Sequence, residues 1–528
     1  MTFIIKIIVF LVALTCCYSI SAQEMLYPMG NNFKDNAILS TDGKDEQGFR
    51  GTGLFPVTYG ELPHSEYSSN EAEEYSWFRR KLFHEHFVEI KGEDYYLVID
   101  PLINASLGKE EGSVNTSMFQ NTRAFQVTGK VMDNISFYTG FYENQARFAS
   151  FQTEYFASRG ERRLNNANEY QVINAVIPGG GRTKPFKEGA FDYASSASYI
   201  RYRMNKNIAF QFGNTPNFIG WGHRSMLLSD NSFNATTLRI DATINDKWNY
   251  TTLNSKHLNL FRRKYSTNFE KPFEKKNFSA HYLTYQPTEK LTIGLFESQV
   301  FFREDSVFSQ WMHPLYFNPI PLMNTAVFGW ENEHAKSLLG LNFAWNVAKR
   351  HLIYGQVITD DLGRNKEFGF QIGWRSSDLL GVKNLQLQVE YNKASEQLYA
   401  AHNNRMSYTH FNLPLAHTLG NGFDEGVVRL NYMFKKVYFQ SHNVFYITDQ
   451  PISEASNLYG GKELSTELNV QQVLFTAFEV GYQFNPRTDL RIFSKIVNRS
   501  SLIAGEQSSQ QLVYFGIKTG LFNQHMDF

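Results

Sequence analysis

The chain has 528 residues, with 51 basic and 51 acidic side chains, so no excess positive charge is present to favour nucleic acid. Only 2 residues are cysteine and 16% are aromatic, while mean hydropathy is −0.38. These values exclude a disulfide scaffold and a helical membrane bundle, but they are compatible with a membrane barrel whose strands alternate between wet and dry faces.

The first 22 residues are predicted to be a secretory signal peptide. Lys6 supplies the positive charge, an apolar run follows, and small residues precede cleavage after Ala22. Both cysteines, Cys16 and Cys17, lie inside this segment. A lipoprotein would have a small residue immediately before the lipidated cysteine, and this sequence lacks one. The mature chain is therefore expected to contain no disulfide, thiolate metal site or cysteine nucleophile.

Residues 23–87 are predicted to form a periplasmic segment with a short helix. Ser68-Ser69-Asn70-Glu71 matches a capping box. An apolar stripe at helical spacing follows and consists of Ala72, Tyr75, Phe78 and Leu82. We expect the helix at the mouth of a barrel, where it either plugs the lumen or only leads into the first strand.

Period-two alternation recurs through residues 88–528, which we interpret as the barrel domain. The clearest run places large apolar residues at Leu339, Leu341, Phe343, Trp345 and Val347, with small or polar residues between them. The strands of a soluble β-sandwich or propeller also alternate, but soluble strands average about five or six residues. Many runs here reach about ten residues, the length that a tilted strand needs to cross a bilayer.

The predicted connections fall into two alternating classes. Short polar turns are predicted at 132–134, 205–207, 245–247, 286–290, 348–351, 377–384, 435–436 and 485–489. The longest connections are predicted at 147–196, 215–232, 304–336 and 395–425. Short turns on one rim and long loops on the other are typical of outer-membrane barrels, and eight short turns imply about eighteen strands.

The sequence offers no convincing catalytic centre. Gly222-His223-Arg224-Ser225-Met226 lacks the glycine spacing of a nucleophile elbow, and His84-Glu85-His86 lacks the spacing of a helical zinc motif. His402, His410 and His417 share one predicted loop and are interpreted as surface or packing residues. We expect no enzymatic activity, metal or cofactor.

Several segments resemble the RemB-type gliding-motility proteins of the Bacteroidetes, and two also look like the wider Wzi-like capsule-assembly family. They are Ser76–Phe83, Asp100–Leu102, Phe141–Phe148, Pro178–Lys187, Phe191–Ala194, Asn217–Asn234 and Pro414–Gly420. The resemblance implies an eighteen-stranded outer-membrane barrel with a helical periplasmic plug. It also implies a lectin that holds capsular polysaccharide, or a surface component of gliding. Thr418 departs from the proline of many relatives.

Candidate ligand-binding residues lie in these segments. Trp221 offers a flat face on which a sugar can stack, and polar groups that suit hydroxyls or an acidic glycan surround it in the sequence. The set is Trp221, His223, Arg224, Asp230, Asn231, Asn234, Arg182, Lys184 and His417. The alternative is that Trp221 anchors an inward-folded loop by packing. Arg182 and Lys184 equally fit a solvated loop with Glu188 nearby.

We therefore predict a non-enzymatic outer-membrane surface protein that supports gliding motility, attachment of surface or capsular polysaccharide, or both. Its expected partners are outer-membrane lipid, polysaccharide and the gliding machinery. The alternative is an outer-membrane pore or transporter for small solutes.

Overall fold

The computed structural model describes residues 51–56, 75–112, 117–164, 170–262, 273–303, 313–363, 367–448 and 470–528. The predicted signal peptide and the predicted capping box lie outside these residues. Within them, no helix has the length and apolar character needed to cross a bilayer.

Eighteen antiparallel strands form one closed barrel. In chain order they are β1 Tyr95–Glu110, β2 Ser117–Val131, β3 Ile135–Arg147, β4 Ala190–Asn205, β5 Ile208–Asn214, β6 Thr236–Asn245, β7 Trp248–Arg262, β8 Phe273–Thr288, β9 Leu291–Phe301, β10 Ala335–Ala348, β11 His351–Thr359, β12 Phe368–Ser376, β13 Leu385–Ala394, β14 Phe423–Phe434, β15 Val437–Thr448, β16 Gln471–Asn485, β17 Leu490–Ile503 and β18 Glu506–Lys518. Strand β18 pairs with β1, from Leu512 opposite Glu110 to Lys518 opposite Asn104. The predicted barrel and its strand number are confirmed.

The remaining elements are short. The helices are α1 Trp77–Phe83, α2 Ser150–Ser158 and α3 Met323–Phe328, with 3-10 turns at Pro314–Phe317, Leu379–Gly381 and Asn404–Met406. Short strands outside the barrel ring are Leu54–Phe55, Val88–Lys91, Glu161–Leu164, Tyr170–Ile173, Val176–Ile177, Gly181–Arg182, Lys184–Phe186, Phe218–Ile219, Thr409–His410 and Leu413–Pro414.

The two classes of connection are also confirmed. All eight predicted short turns join consecutive barrel strands at one rim. The predicted long connections join strands at the opposite rim, where the tight β17–β18 hairpin from Ile503 to Glu506 is an exception. Short turns therefore mark one face of the membrane and long loops mark the other.

The outer wall is apolar because alternate residues of each strand point away from the lumen. Leu341 and Trp345 on β10 are 52% and 50% exposed, whereas Asn342 between them is 1% exposed. Aromatic side chains gather near the short-turn rim, where the Trp248 ring stacks on Tyr285 at 4.3 Å. An apolar band edged by aromatic rings is the surface that a bilayer requires.

Described residues of five segments fill the lumen: the amino-terminal lumen segment (51–56), the helix loop (148–189), the Trp221 loop (215–235), the His417 loop (395–422) and the tail segment (519–528). Most of their described side chains are buried, and many join one apolar core with inward residues of the wall. A lumen filled in this way is a packed interior and not an open channel.

The helix predicted for the amino-terminal segment lies at the rim. Helix α1 has no buried residue, and its Lys81 carbonyl accepts a hydrogen bond from Asn485 in the β16–β17 turn at 3.1 Å. The part of this segment described inside the lumen is extended instead, since Leu54 pairs with Ile219 of the Trp221 loop. That the whole segment serves as a plug stays a prediction.

Candidate functional site

The Trp221 loop is held against the inner wall by close backbone contacts. Gly220 has a φ of 128°, and a Cβ atom there would lie 2.3 Å from the Gln356 side chain. At Gly222 a Cβ atom would lie 2.5 Å from a carboxylate oxygen of Glu390. Glycine is therefore required at both positions for the loop to reach the wall.

Trp221 itself is 1% exposed. Its ring packs against the Phe55 ring in a T-shaped arrangement, with centroids 6.4 Å apart. Gly53 lies next to the Nε1 and Cε2 atoms of the indole. In this conformation neither face of the indole is open to a ligand. The geometry is that of an anchor between the Trp221 loop and the amino-terminal lumen segment, and binding of sugar by Trp221 stays a prediction.

Arg224 is the centre of a buried charge network. Its guanidinium lies 3.1 Å from an oxygen of Glu425 on β14 and 3.0 Å from Asp527 in the tail segment. Glu390 on β13 accepts the backbone N–H groups of His223 at 2.8 Å and Arg224 at 3.1 Å. One cation thus joins a loop, a wall strand and the tail segment, while the carboxylate of Glu390 accepts main-chain donors of the same loop.

His223 and His442 both contact Asp527. Their Nε2 atoms lie 3.4 Å and 2.5 Å from the Oδ2 atom of Asp527. Burial, with Arg429 nearby, holds the pKa of His223 well below its usual range. Burial alone would raise the pKa of Asp527, but Arg224 and the two histidines hold it well below its usual range.

The same three side chains could also hold a divalent cation. Their ligand atoms all lie within 4.8 Å of one another, and two histidines with one carboxylate form a familiar ligand set. Hydrogen bonding already accounts for the arrangement, because a neutral histidine can donate to the ionised Asp527. The three side chains therefore belong to the charge network.

Two other buried candidates, His417 and Asp230, belong to the same network, and Asn231 lies next to it. His417 lies 2.7 Å from Glu425 and stacks on Phe423. Asp230 accepts from Asn523 at 2.8 Å and pairs with His525 at 2.9 Å in the tail segment. The side chain of Asn231 donates to the Pro414 carbonyl of the His417 loop.

Three predicted site residues lie apart from this network, towards the long-loop rim. Asn234 donates to the Ser196 carbonyl at 3.0 Å. Arg182 pairs with Glu161 at 2.9 Å, whereas Lys184 is exposed. The predicted set thus divides into a buried lumen group and a small polar group at the rim, in which Arg182 and Lys184 are basic. His402 and His410 join neither group: His402 is exposed and His410 lies beside His257.

A polar cavity of about 360 Å³ remains beside the tail segment. Charged side chains from the wall line it, among them Arg429, Glu479, Arg491, Lys495 and Lys518. Glu479 and Lys518 pair at 2.7 Å. The volume is in the range of small-ligand pockets, and the lining suits a polar ligand better than an apolar one.

Sequence reasoning missed the wall residues that receive the loops. Gln356, Glu390 and Glu425 lie on three different strands, and each belongs to a period-two alternation in which the residues two positions before and after it are also buried. That alternation marks them as lumen residues, but only the folded barrel shows that they meet Arg224 and its neighbours.

Comparison with known proteins identifies one family. The model of the family described as capsule assembly protein Wzi matches residues 104–487. The sequence has no match among curated proteins.

Solved structures resemble the whole fold at low sequence identity. Escherichia coli Wzi, described as an outer-membrane protein involved in group 1 capsule assembly and a carbohydrate-binding β-barrel, has 12% identity and a TM-score of 0.52. The alignment covers 94% of this chain and 100% of that one. Pseudomonas aeruginosa OprD has 11% identity and a TM-score of 0.42, over 82% of this chain and 98% of its own.

Proposed function

This chain belongs to the capsule assembly protein Wzi family, and on that premise we propose that it is an outer-membrane protein that binds surface polysaccharide through its long-loop rim. The main support for polysaccharide binding is that a chain of this family has a filled lumen. A barrel whose interior is occupied by five packed segments is suited to binding at its surface and poorly suited to free passage of solutes.

The buried charge network supports this role by fixing the loops. Arg224, Glu425 and Asp527 tie the Trp221 loop to the wall and to the tail segment, and the His417 loop is tied in through His417. A rigid scaffold lowers the entropy that a binding surface loses when it engages a ligand. In this proposal, the lumen residues position the rim and do not touch the glycan.

The exposed lysines of the helix loop offer a specific test. Lys184 and Lys187 are both exposed near the long-loop rim, so we expect them to attract an acidic polysaccharide. Because exposed charge pairs contribute about 0.2–1 kcal/mol each, the K184Q/K187Q variant should bind roughly twofold to thirtyfold more weakly. Binding of purified acidic capsular polysaccharide to the barrel in detergent would be measured by calorimetry.

The matched control carries the same loss of charge at the opposite rim. Lys349 and Lys435 are exposed in short turns, and K349Q/K435Q should leave affinity unchanged. If both variants bind the polysaccharide equally weakly, only net charge matters. If neither variant binds it more weakly, the helix loop is not part of the binding surface.

We further propose a role in gliding motility, on the basis of the sequence segments that resemble RemB-type proteins. Deletion of the gene in its native organism should be scored separately for capsule retention and for spreading on a surface. Loss of retention supports the polysaccharide role, and loss of spreading in cells that retain capsule supports the gliding role. If the mutant keeps both properties, both assignments fail.

A further inference from the structure

Part of the connection between β9 and β10 lies on the outside of the barrel wall. Glu297 and Gln299 lie on the same face of β9 as the 39% exposed Ile293 and therefore point away from the lumen. Asn254 on β7 faces the same way, because it pairs with Ser279 of β8, which in turn pairs with Gln299. Nevertheless, all three polar side chains are buried. They are covered by residues 313–332, which we call the flap.

Specific hydrogen bonds join the flap to this polar patch. Glu297 accepts from the backbone N–H groups of Leu322 at 2.5 Å and Thr325 at 2.9 Å. Gln299 donates to the Thr325 hydroxyl at 3.2 Å, and Asn254 donates to the Tyr316 carbonyl at 2.5 Å. The carboxylate therefore satisfies main-chain donors at the start of α3, which would otherwise face hydrocarbon without partners.

The flap also packs on the wall through an aromatic cluster and extends far along it. Phe301, Tyr316 and Ala335 form this cluster, with Phe328 against it. The Pro319 carbonyl accepts from Tyr250 at 2.6 Å, and Tyr250 lies close to the short-turn end of β7, which begins at Trp248. The flap thus runs from the long-loop rim into the lower part of the wall.

The opposite side of the flap is apolar. Its exposed large side chains are Phe317, Ile320, Leu322, Met323 and Val327, and Ile320 and Val327 are 56% and 57% exposed. Residues 313–330 contain no Asp, Glu, Lys or Arg. A loop in water would be expected to carry charge, whereas this surface continues the apolar wall around Ile293 and Leu341.

We propose that the flap is inserted in the outer membrane and that its apolar side binds lipid acyl chains. It seals a polar patch that a bare barrel wall would expose to hydrocarbon, where a carboxylate is costly. The flap, which is part of the long connection predicted at the extracellular surface, is thereby assigned to the membrane. The inference does not depend on polysaccharide binding.

Fluorescence quenching tests the proposal in reconstituted vesicles. The two native cysteines are Cys16 and Cys17, in the predicted signal peptide, so single labels can be placed in the exported protein with I320C or V327C. Brominated acyl chains should quench both labels as strongly as a label at L341C on the lipid-facing wall. Aqueous iodide should quench them several-fold less than a label at Q507C in the β17–β18 hairpin.

Two outcomes would overturn the proposal. Strong iodide quenching without quenching by brominated lipid would place the flap in water. Protection from both quenchers would mean that protein, such as a second copy of the chain, covers the flap. Each variant is first checked for a folded barrel by its different migration before and after boiling, and two flap positions are used so that failure of one leaves the test intact.

Discussion

Replacement of Arg224 by methionine is expected to destabilise the Trp221 loop by about 3–5 kcal/mol, the usual cost of removing one partner of a buried ion pair. The side chain of Arg224 is 2% exposed and that of Glu425 is 0% exposed. Methionine keeps much of the volume but leaves Glu425 and Asp527 without their shared cation. Both carboxylates would remain desolvated with only hydrogen bonds to compensate them.

Hydrogen exchange measures this effect locally. The loop can detach while the wall stays folded, so exchange of peptides covering residues 218–232 and 523–528 is more informative than global unfolding. A loss of about 3 kcal/mol in the free energy of opening should speed exchange about a hundredfold or more in both peptides. Exchange in the wall strands should change little.

Arg123 provides the matched control. It pairs with Glu143 at 3.8 Å, but the two side chains are 60% and 56% exposed. R123A should therefore cost less than about 1 kcal/mol. The double variant R224M/E425Q should be less damaged than the sum of its single changes, because neutralising Glu425 removes one unpaired charge. An R224M protein that exchanges like R123A would contradict the network's role.

The barrel wall is predictable from the sequence because strand geometry repeats every two residues. Leu341 and Trp345 are apolar and Asn342 is polar, and this alone places the first two towards lipid and the third in the lumen. The turns are similarly local, because the side-chain oxygens of Asn205 and Asn245 accept hydrogen bonds from the backbone N–H groups two residues later. Local rules therefore suffice for strand number and for rim assignment.

The site depends on contacts that no local pattern contains. Arg224 meets Glu425, which lies 201 residues away, and it meets Asp527 only because the tail segment turns back into the lumen. Trp221 shows the same limit, because the surrounding sequence does not reveal whether its indole is exposed or buried. The buried position follows from the approach of Phe55 and Gly53.

The flap shows a signal that was present but ambiguous. A run from His313 to Trp330 without Asp, Glu, Lys or Arg is visible in the sequence, yet it fits an inward-packed loop as well as a lipid-facing one. The polar residues that it covers, Glu297 and Gln299, interrupt the apolar outward face of β9. The location of the loop becomes clear only when the uncharged run is seen to cover the polar outward residues of β9.

Removal of the Trp221 loop is expected to open the filled lumen, so that the barrel conducts ions. Asn214 at the end of β5 pairs directly with Thr236 at the start of β6. A two-residue Asn-Gly turn can therefore replace residues 215–235 and close the hairpin without moving the wall. The shortened protein should still show heat-dependent migration.

The expected opening follows from what the loop holds in place. The hydroxyls of Tyr399 and Tyr408 in the His417 loop donate to the carbonyls of Met226 and Leu227, each at 2.8 Å. Asp230 holds the tail segment through Asn523 and His525. Without these contacts both neighbouring segments lose their anchors, and water can solvate the inward side chains Gln356, Glu390 and Glu425. Barrels of this strand number are wide enough for an aqueous channel.

Planar-bilayer recordings distinguish the two states. The intact protein should give no discrete openings, since its lumen is packed, and the shortened protein should give stable steps of current. R123A, changed only at an exposed pair on the wall, should remain silent. Open channels in the intact protein would favour the pore function over polysaccharide binding. A silent shortened protein would show that the helix loop, the His417 loop and the tail segment seal the lumen without the Trp221 loop.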